Sequence, residues 1–211
     1  FRDNELPKEE YWQKVSSLCK EHGIVLIVDD VRAGFRINLS GSNVAYGFTP
    51  DLICFGKAIA NGYPLSALVG NNDLKKAAEK VYFTGTQFFS APPMAAARAT
   101  LLELKKSDAA NKMTDYGKKL NNSLIEVASQ FGYKLVASGP PSMPYFRLAE
   151  VESEIHFSWI DECVRRGVYM LGYHNHFIST AHSAEDLVTI TQVAKEAFTS
   201  LRKNDQSEIN L

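Results

Sequence analysis

A chain of 211 residues has room for one large or two small apolar cores, and 45% hydrophobic with 22% charged residues is the make-up of a globular protein. Its formal net charge of -1 supplies no global field to recruit nucleic acid or an anionic membrane. No apolar run approaches a membrane span and no signal peptide is read. Three dispersed cysteines, Cys19, Cys54 and Cys163, without metal-ligand spacing, fit reduced thiols in the cytoplasm.

The first period is helical. Pro7 suits a first turn, Tyr11, Trp12, Val15, Leu18 and Cys19 recur at helical spacing, and His22-Gly23 supply the stop. Residues 24–28, Ile-Val-Leu-Ile-Val, then read as a strand buried on both faces, the mark of a parallel sheet covered by helices. That strand ends in Asp29 and Asp30, and ligands of open α/β sheets bind beyond the carboxyl ends of strands. Two further strands are predicted, 52–55 ahead of Gly56-Lys57 and 66–69 ahead of Gly70, with the turn-rich stretch Asn61-Gly62-Tyr63-Pro64 between them. A helix opens near Pro92-Pro93 and runs to Leu104, with Lys105-Lys106 complementing its dipole.

Beyond Ser107 the texture changes. A helix over 113–131 is closed by Gly132, and a Gly- and Pro-punctuated strand region covers 134–148. A helix over 154–166 ends at Gly167, and 168–171 reads as a short strand. The last helix starts at Ser183, whose run to Asp186 resembles a capping box, and the tail from Asn204 looks loose. The whole is α/β, with a first domain over 1–106 holding a mostly parallel sheet and a small α+β domain over 107–211.

Lys57 is the position that speaks most directly of chemistry. An amine at the end of a core strand would be partly desolvated, hence nucleophilic toward aldehydes. A Gly-Lys dipeptide alone marks a surface loop far more often, so the neighbourhood has to decide. The run Pro50-Asp51-Leu52-Ile53-Cys54-Phe55-Gly56-Lys57, followed by Gly62-Tyr63-Pro64 and Ala67, resembles the Schiff-base lysine signature of the class III aminotransferases. The run from Leu26 to Arg36, Leu-Ile-Val-Asp-Asp-Val-Arg-Ala-Gly-Phe-Arg, resembles that family's cofactor-ring motif. Tyr82-Phe83-Thr84-Gly85-Thr86-Gln87 resembles its Gly-Thr loop, and all three stand in family order.

The resemblance implies a partial fold type I transferase, the C-terminal part of a longer protein, with pyridoxal 5'-phosphate as cofactor. It implies that Lys57 carries the cofactor and that Asp29 contacts the pyridine nitrogen. It also implies that Val31 packs on the ring face and that Thr86 binds the phosphate held by the neighbouring subunit of a homodimer. Most members carry Glu where this sequence has Asp30, a shorter side chain that keeps the charge and loses reach. The implied reaction is amino-group transfer from a small-molecule donor to an oxo acceptor, or transfer within one molecule as in the subgroup it most resembles, the glutamate-1-semialdehyde aminomutase-like proteins. Racemase and decarboxylase chemistry share the scaffold. No glycine-rich phosphate cradle precedes Asp29, so the alternative is a catalytically silent fragment that keeps only folding and dimer contacts.

Other candidates are weaker. His174 and His176 would share a strand face, yet no third ligand has sensible spacing, so packing or hydrogen bonding is expected and no metal site is assigned. Arg165-Arg166 reads as a solvated helix end. Tyr82, Phe83, Phe88 and Phe89 suggest interface or core packing, and Cys54 a buried strand residue.

Overall fold

The structure, a computed structural model, describes residues 3–208. It forms two compact units, one from Pro7 to Asn111, the other joining the segment up to Leu6 with Lys112 onward. Among the described residues no helix is long and apolar enough to cross a membrane.

The first unit opens with helix α1 (Tyr11–Glu21), which starts after Glu10 in left-handed geometry, so Pro7 lies ahead of the helix rather than in its first turn. His22 caps it, and Trp12 stacks on Phe48 with ring centroids 5.0 Å apart. Strand β1 (Ile27–Asp29), the short helix α2 (Ser42–Ala45) and strand β2 (Leu52–Phe55) follow. A 3-10 turn (Lys57–Ala60) leads on to β3 (Ala67–Gly70), the short helix α3 (Lys75–Ala78) and α4 (Ala91–Lys106). The sheet order is β1-β2-β3, with β1 and β2 parallel and β3 antiparallel to β2.

The strand over 24–28, expected to be buried on both faces, is shorter and half open. Ile24, Val25 and Ile27 are 56%, 47% and 57% exposed. Among the described residues β1 is an edge strand, paired with β2 alone, and side chains that stand off the sheet faces are buried only where another layer covers them. The apolar core of this unit lies elsewhere, where Phe35, Phe55, Ile59, Ala60 and Ala97 pack together, with Leu101 and Leu104 of α4 against them.

The second unit contains α5 (Ala109–Gln130), the antiparallel pair β4 (Lys134–Ser138) and β5 (Tyr145–Ala149), α6 (Ser153–Arg165) and α7 (Ala184–Glu208). Gly132 and Gly167 sit at φ +81° and +90°, the left-handed geometry that ends a helix cheaply only at glycine. Trp159 of α6 stacks on Phe198 of α7 at 5.2 Å, and both are fully buried. The α7 start is a reciprocal box: the Asp186 amide donates to Ser183 Oγ at 3.1 Å, and the Ser183 amide donates to Asp186 Oδ2 at 2.7 Å.

Three expectations need correction. Residues 168–171 form no strand, because the Val168 amide closes the end of α6 on the Cys163 carbonyl and the Leu171 amide donates to His176 Nε2. The tail from Asn204 continues as helix to Glu208, while 209–211 lie outside the described residues. Arg166 is no solvated end: it bonds Glu162 on its own helix and Ser200 Oγ on α7.

Candidate active site

Asp51 sets the frame. Its Oδ2 accepts the Leu26 amide at 2.8 Å and its Oδ1 accepts Asn71 Nδ2 at 2.7 Å, stapling the start of β2 to the lead-in of β1 and the exit of β3. With the strands pinned there, the parallel register pairs Ile27 with Leu52 and Asp29 with Cys54. Both strands therefore finish at the same edge of the sheet, Asp29 on one and Gly56-Lys57 just past the end of the other.

At that edge Asp29 is exposed, and its Oδ1 accepts the Val31 amide at 3.1 Å. Val31 packs toward the second strand: a Cβ built on Gly56 would lie 3.2 Å from Val31 Cγ1. A side chain at the position before the lysine would press on the Val31 methyl.

Lys57 stands at φ +43°, left-handed geometry that costs a non-glycine residue about 1 kcal/mol or more. Its neighbours enforce it, since Ile59 and Ala60 are buried in the core and the Ile59 amide closes the turn on the Gly56 carbonyl at 3.0 Å. Lys57 is exposed, contrary to the expected partial desolvation. Cys54 is half-buried rather than buried.

The register brings Asp29, Val31 and Lys57 to one edge; nothing in it ties Thr86 to them. Thr86 occupies a separate exposed turn, 86–89, where the Phe88 amide donates to the Gly85 carbonyl at 3.0 Å. Tyr82, Phe83 and Phe89 beside it are 92%, 79% and 85% exposed, so they are not core residues of this chain. In the second unit, His176 is committed to hydrogen bonds, with Nε2 accepting from Leu171 and Nδ1 facing the Pro144 carbonyl at 3.3 Å.

Two residues that sequence reasoning passed over matter here. Asp30, read only as a shortened glutamate, is fully buried, and its Oδ2 accepts the Ser42 amide at 2.8 Å. Burial pushes its carboxyl above the usual range, partly offset by hydrogen bonds from Ser42. Asp51, the strand staple, left no periodic signal; only its place after Pro50 and before a strand could have marked it. Nearby, burial and the Arg32 charge lower the Arg36 guanidinium, while burial and the Asp30 charge raise the Tyr46 phenol.

A primary amine and a carboxylate at the ends of neighbouring parallel strands, with valine methyls beside them, suit a small flat ring. One substituent would meet the amine, a basic ring atom the acid, and the ring face the methyls. The residues present fit such a group.

Comparison with known proteins bears on the same reading. The family described as aminotransferase class-III matches residues 5–203. An aminopentol aminotransferase of Sphingopyxis macrogoltabida is 37% identical over 205 residues, 97% of this chain and 49% of that protein. A 3-aminobutyryl-CoA aminotransferase of Cloacimonas acidaminovorans (strain Evry) is 30% identical, across 94% of this chain and 49% of its own length. Among solved structures, the PLP internal aldimine form of the FumI protein of Sphingopyxis sp. MTA144 superposes with a TM-score of 0.94. It is 36% identical and matches 98% of this chain and 50% of that one. An omega-transaminase from Sphaerobacter thermophilus, 19% identical with a TM-score of 0.83 over 92% of this chain and 48% of its own, shares the fold. The chain spans about half the length of the relatives it matches.

Proposed function

The chain belongs to the class III aminotransferase family, and on that premise we propose that it carries the lysine side of a pyridoxal-phosphate site for amino-group transfer. Lys57 Nζ is the atom that would hold the aldehyde carbon of the cofactor and, when free, move the proton to and from the substrate carbon. Asp29 would face the pyridine nitrogen and favour its protonated form, and Val31 would pack on the ring face. When bound, pyridoxal phosphate supplies an electron sink for charge developing on the substrate carbon.

The observation that carries this reading is the parallel register, with Asp29 opposite Cys54 and Lys57 three residues further along the chain, just past the end of β2. Thr86, on its exposed turn, is assigned to the phosphate of a second subunit in a cytoplasmic homodimer. Residues 1–106 would form the C-terminal part of the cofactor-binding domain and 107–211 the small domain. The substrates are a small-molecule amino donor and an oxo acceptor. Intramolecular transfer of the aminomutase kind is the variant on the same site.

A second reading has one observation in its favour, the exposed apolar edge at Ile24, Val25 and Ile27. On that reading the 211 residues alone hold no cofactor and keep only folding and subunit contacts. Borohydride reduction after incubation with pyridoxal phosphate, followed by peptide mass spectrometry, separates the two. A phosphopyridoxyl adduct concentrated on Lys57, and lost in Lys57→Ala, is the expected result. Label spread evenly over surface lysines, or none, would sink the first reading for this chain.

A further inference from the structure

We propose that Asp30 is a positioning residue of this site, a buried carboxylate matched in length to the Gly41-Ser42 turn that holds the strand end bearing Asp29 and Val31. The proposal deepens the reading above and rests on it for the role of Asp29.

Asp30 is the one fully buried acid among the described residues, 1% exposed. Each of its polar groups but one is tied to a different part of the site. Its amide donates to the Cys54 carbonyl at 3.0 Å, joining the end of β1 to β2. Its carbonyl accepts the Gly34 amide at 2.8 Å, closing the turn that follows Val31. Its Oδ2 accepts the Ser42 amide at 2.8 Å, reaching twelve residues along the chain. Oδ1 takes no hydrogen bond from the described residues. The bond from the Val31 amide to Asp29 Oδ1 spans Asp30, so rotation of the Asp30 backbone would break it and release the Asp29 carboxylate.

The enclosure around this carboxylate sets its length. A Cβ on Gly34 would come within 2.7 Å of the Asp30 carbonyl oxygen and of the Phe55 ring. A Cβ on Gly41 would lie 3.2 Å from Asp30 Oδ2 and 3.4 Å from Phe55 Cζ. Gly34 thus crowds the Asp30 backbone and Phe55, while Gly41 and the Ser42 amide sit directly beside the buried carboxylate, so another methylene would have to displace that turn. Aspartate reaches the Ser42 amide from here, whereas glutamate would push the turn away or fold back on itself.

The test uses the 211-residue chain and three variants. Asp30→Asn keeps the length and an acceptor oxygen, Asp30→Glu keeps the charge and changes the length, and Ser42→Pro deletes the donor where proline suits a helix start. Amide hydrogen exchange without cofactor reads the strand end directly. Asp30→Glu and Ser42→Pro should speed exchange at Val31 about tenfold or more relative to the β2 amides, and Asp30→Asn by no more than about twofold. At subsaturating pyridoxal phosphate, the first two should also cut the trapped Lys57 adduct by about fivefold or more, with Asp30→Asn near wild type. Should Asp30→Glu fail to fold, Ser42→Pro decides.

The idea is overturned if Asp30→Glu matches Asp30→Asn, or if Val31 exchange holds still while the melting temperature alone falls. The exchange measurement needs no cofactor, so absence of any adduct in the wild type defeats the cofactor reading and leaves the clamp to be judged on exchange.

Discussion

Asp3 and Arg147 are joined by two hydrogen bonds, Nε to Oδ1 at 2.9 Å and Nη2 to Oδ2 at 2.7 Å. The pair holds the opening segment against β5 from 144 residues away, with each side chain about a quarter exposed. The bidentate geometry makes it stronger than a single-point surface ion pair.

Arg147→Ala should therefore lower unfolding free energy by about 1–2 kcal/mol near neutral pH, measured by urea denaturation. The Arg147 guanidinium holds the Asp3 carboxyl below its ordinary value. A depressed carboxylate stabilises the fold above the unfolded-state value, and that stabilisation drains as pH falls through the lowered folded value. The variant's deficit should thus shrink in acid, and a deficit unchanged at pH 2 would contradict the assignment.

His156 supplies a second pH effect of the same direction and different origin. It is 2% exposed, with Nε2 donating to the Gly172 carbonyl at 2.9 Å and Nδ1 accepting the Leu148 amide at 3.4 Å. Burial lowers its proton affinity below the ordinary value of 6.5. As pH falls below that value the unfolded chain takes up a proton that the folded chain refuses, so stability declines on the order of 1 kcal/mol toward pH 5. His156→Gln should flatten that limb of the profile. Thermal melts of both proteins between pH 5 and 8 check it.

Gly117 of α5 has no room for a side chain. A Cβ there would overlap the Pro141 carbonyl, a backbone group with little freedom to move. Gly117→Ala should cost about 3 kcal/mol despite alanine's better helix propensity. A melting temperature equal to wild type would show that the 140–144 loop yields.

Asp29→Asn isolates the acid's charge from its shape, because an amide oxygen can still accept the Val31 amide. Under the proposed function, borohydride trapping at Lys57 should still occur at saturating cofactor. Affinity should fall about tenfold or more as the protonated ring loses its counter-charge. Equal affinity would remove Asp29 from the site.

The elements themselves were largely readable. Leu52–Phe55 came out residue for residue, and Gly132, Gly167 and the Ser183–Asp186 box marked helix ends correctly, because turn chemistry and capping are local. What misled was burial. Ile24 to Val28 carries the composition of a doubly covered strand, yet composition does not say whether the covering elements are present, and here β1 is paired on one side. Residues 168–171 have strand-like side chains, but their amides are claimed by a helix end and by His176.

By itself the sequence determined the α/β class, the order of its elements, and the family, since these follow from periodicity and from the runs of adjacent residues around Asp29, Lys57 and Thr86. Only the tertiary structure decided that Asp29 and Lys57 share an edge, because that depends on strand register, which Asp51 sets through bonds to Leu26 and Asn71. Likewise the burial of Asp30 against Gly41 and Ser42 exists only once a turn twelve residues away folds back over it, a contact between groups that no local pattern relates.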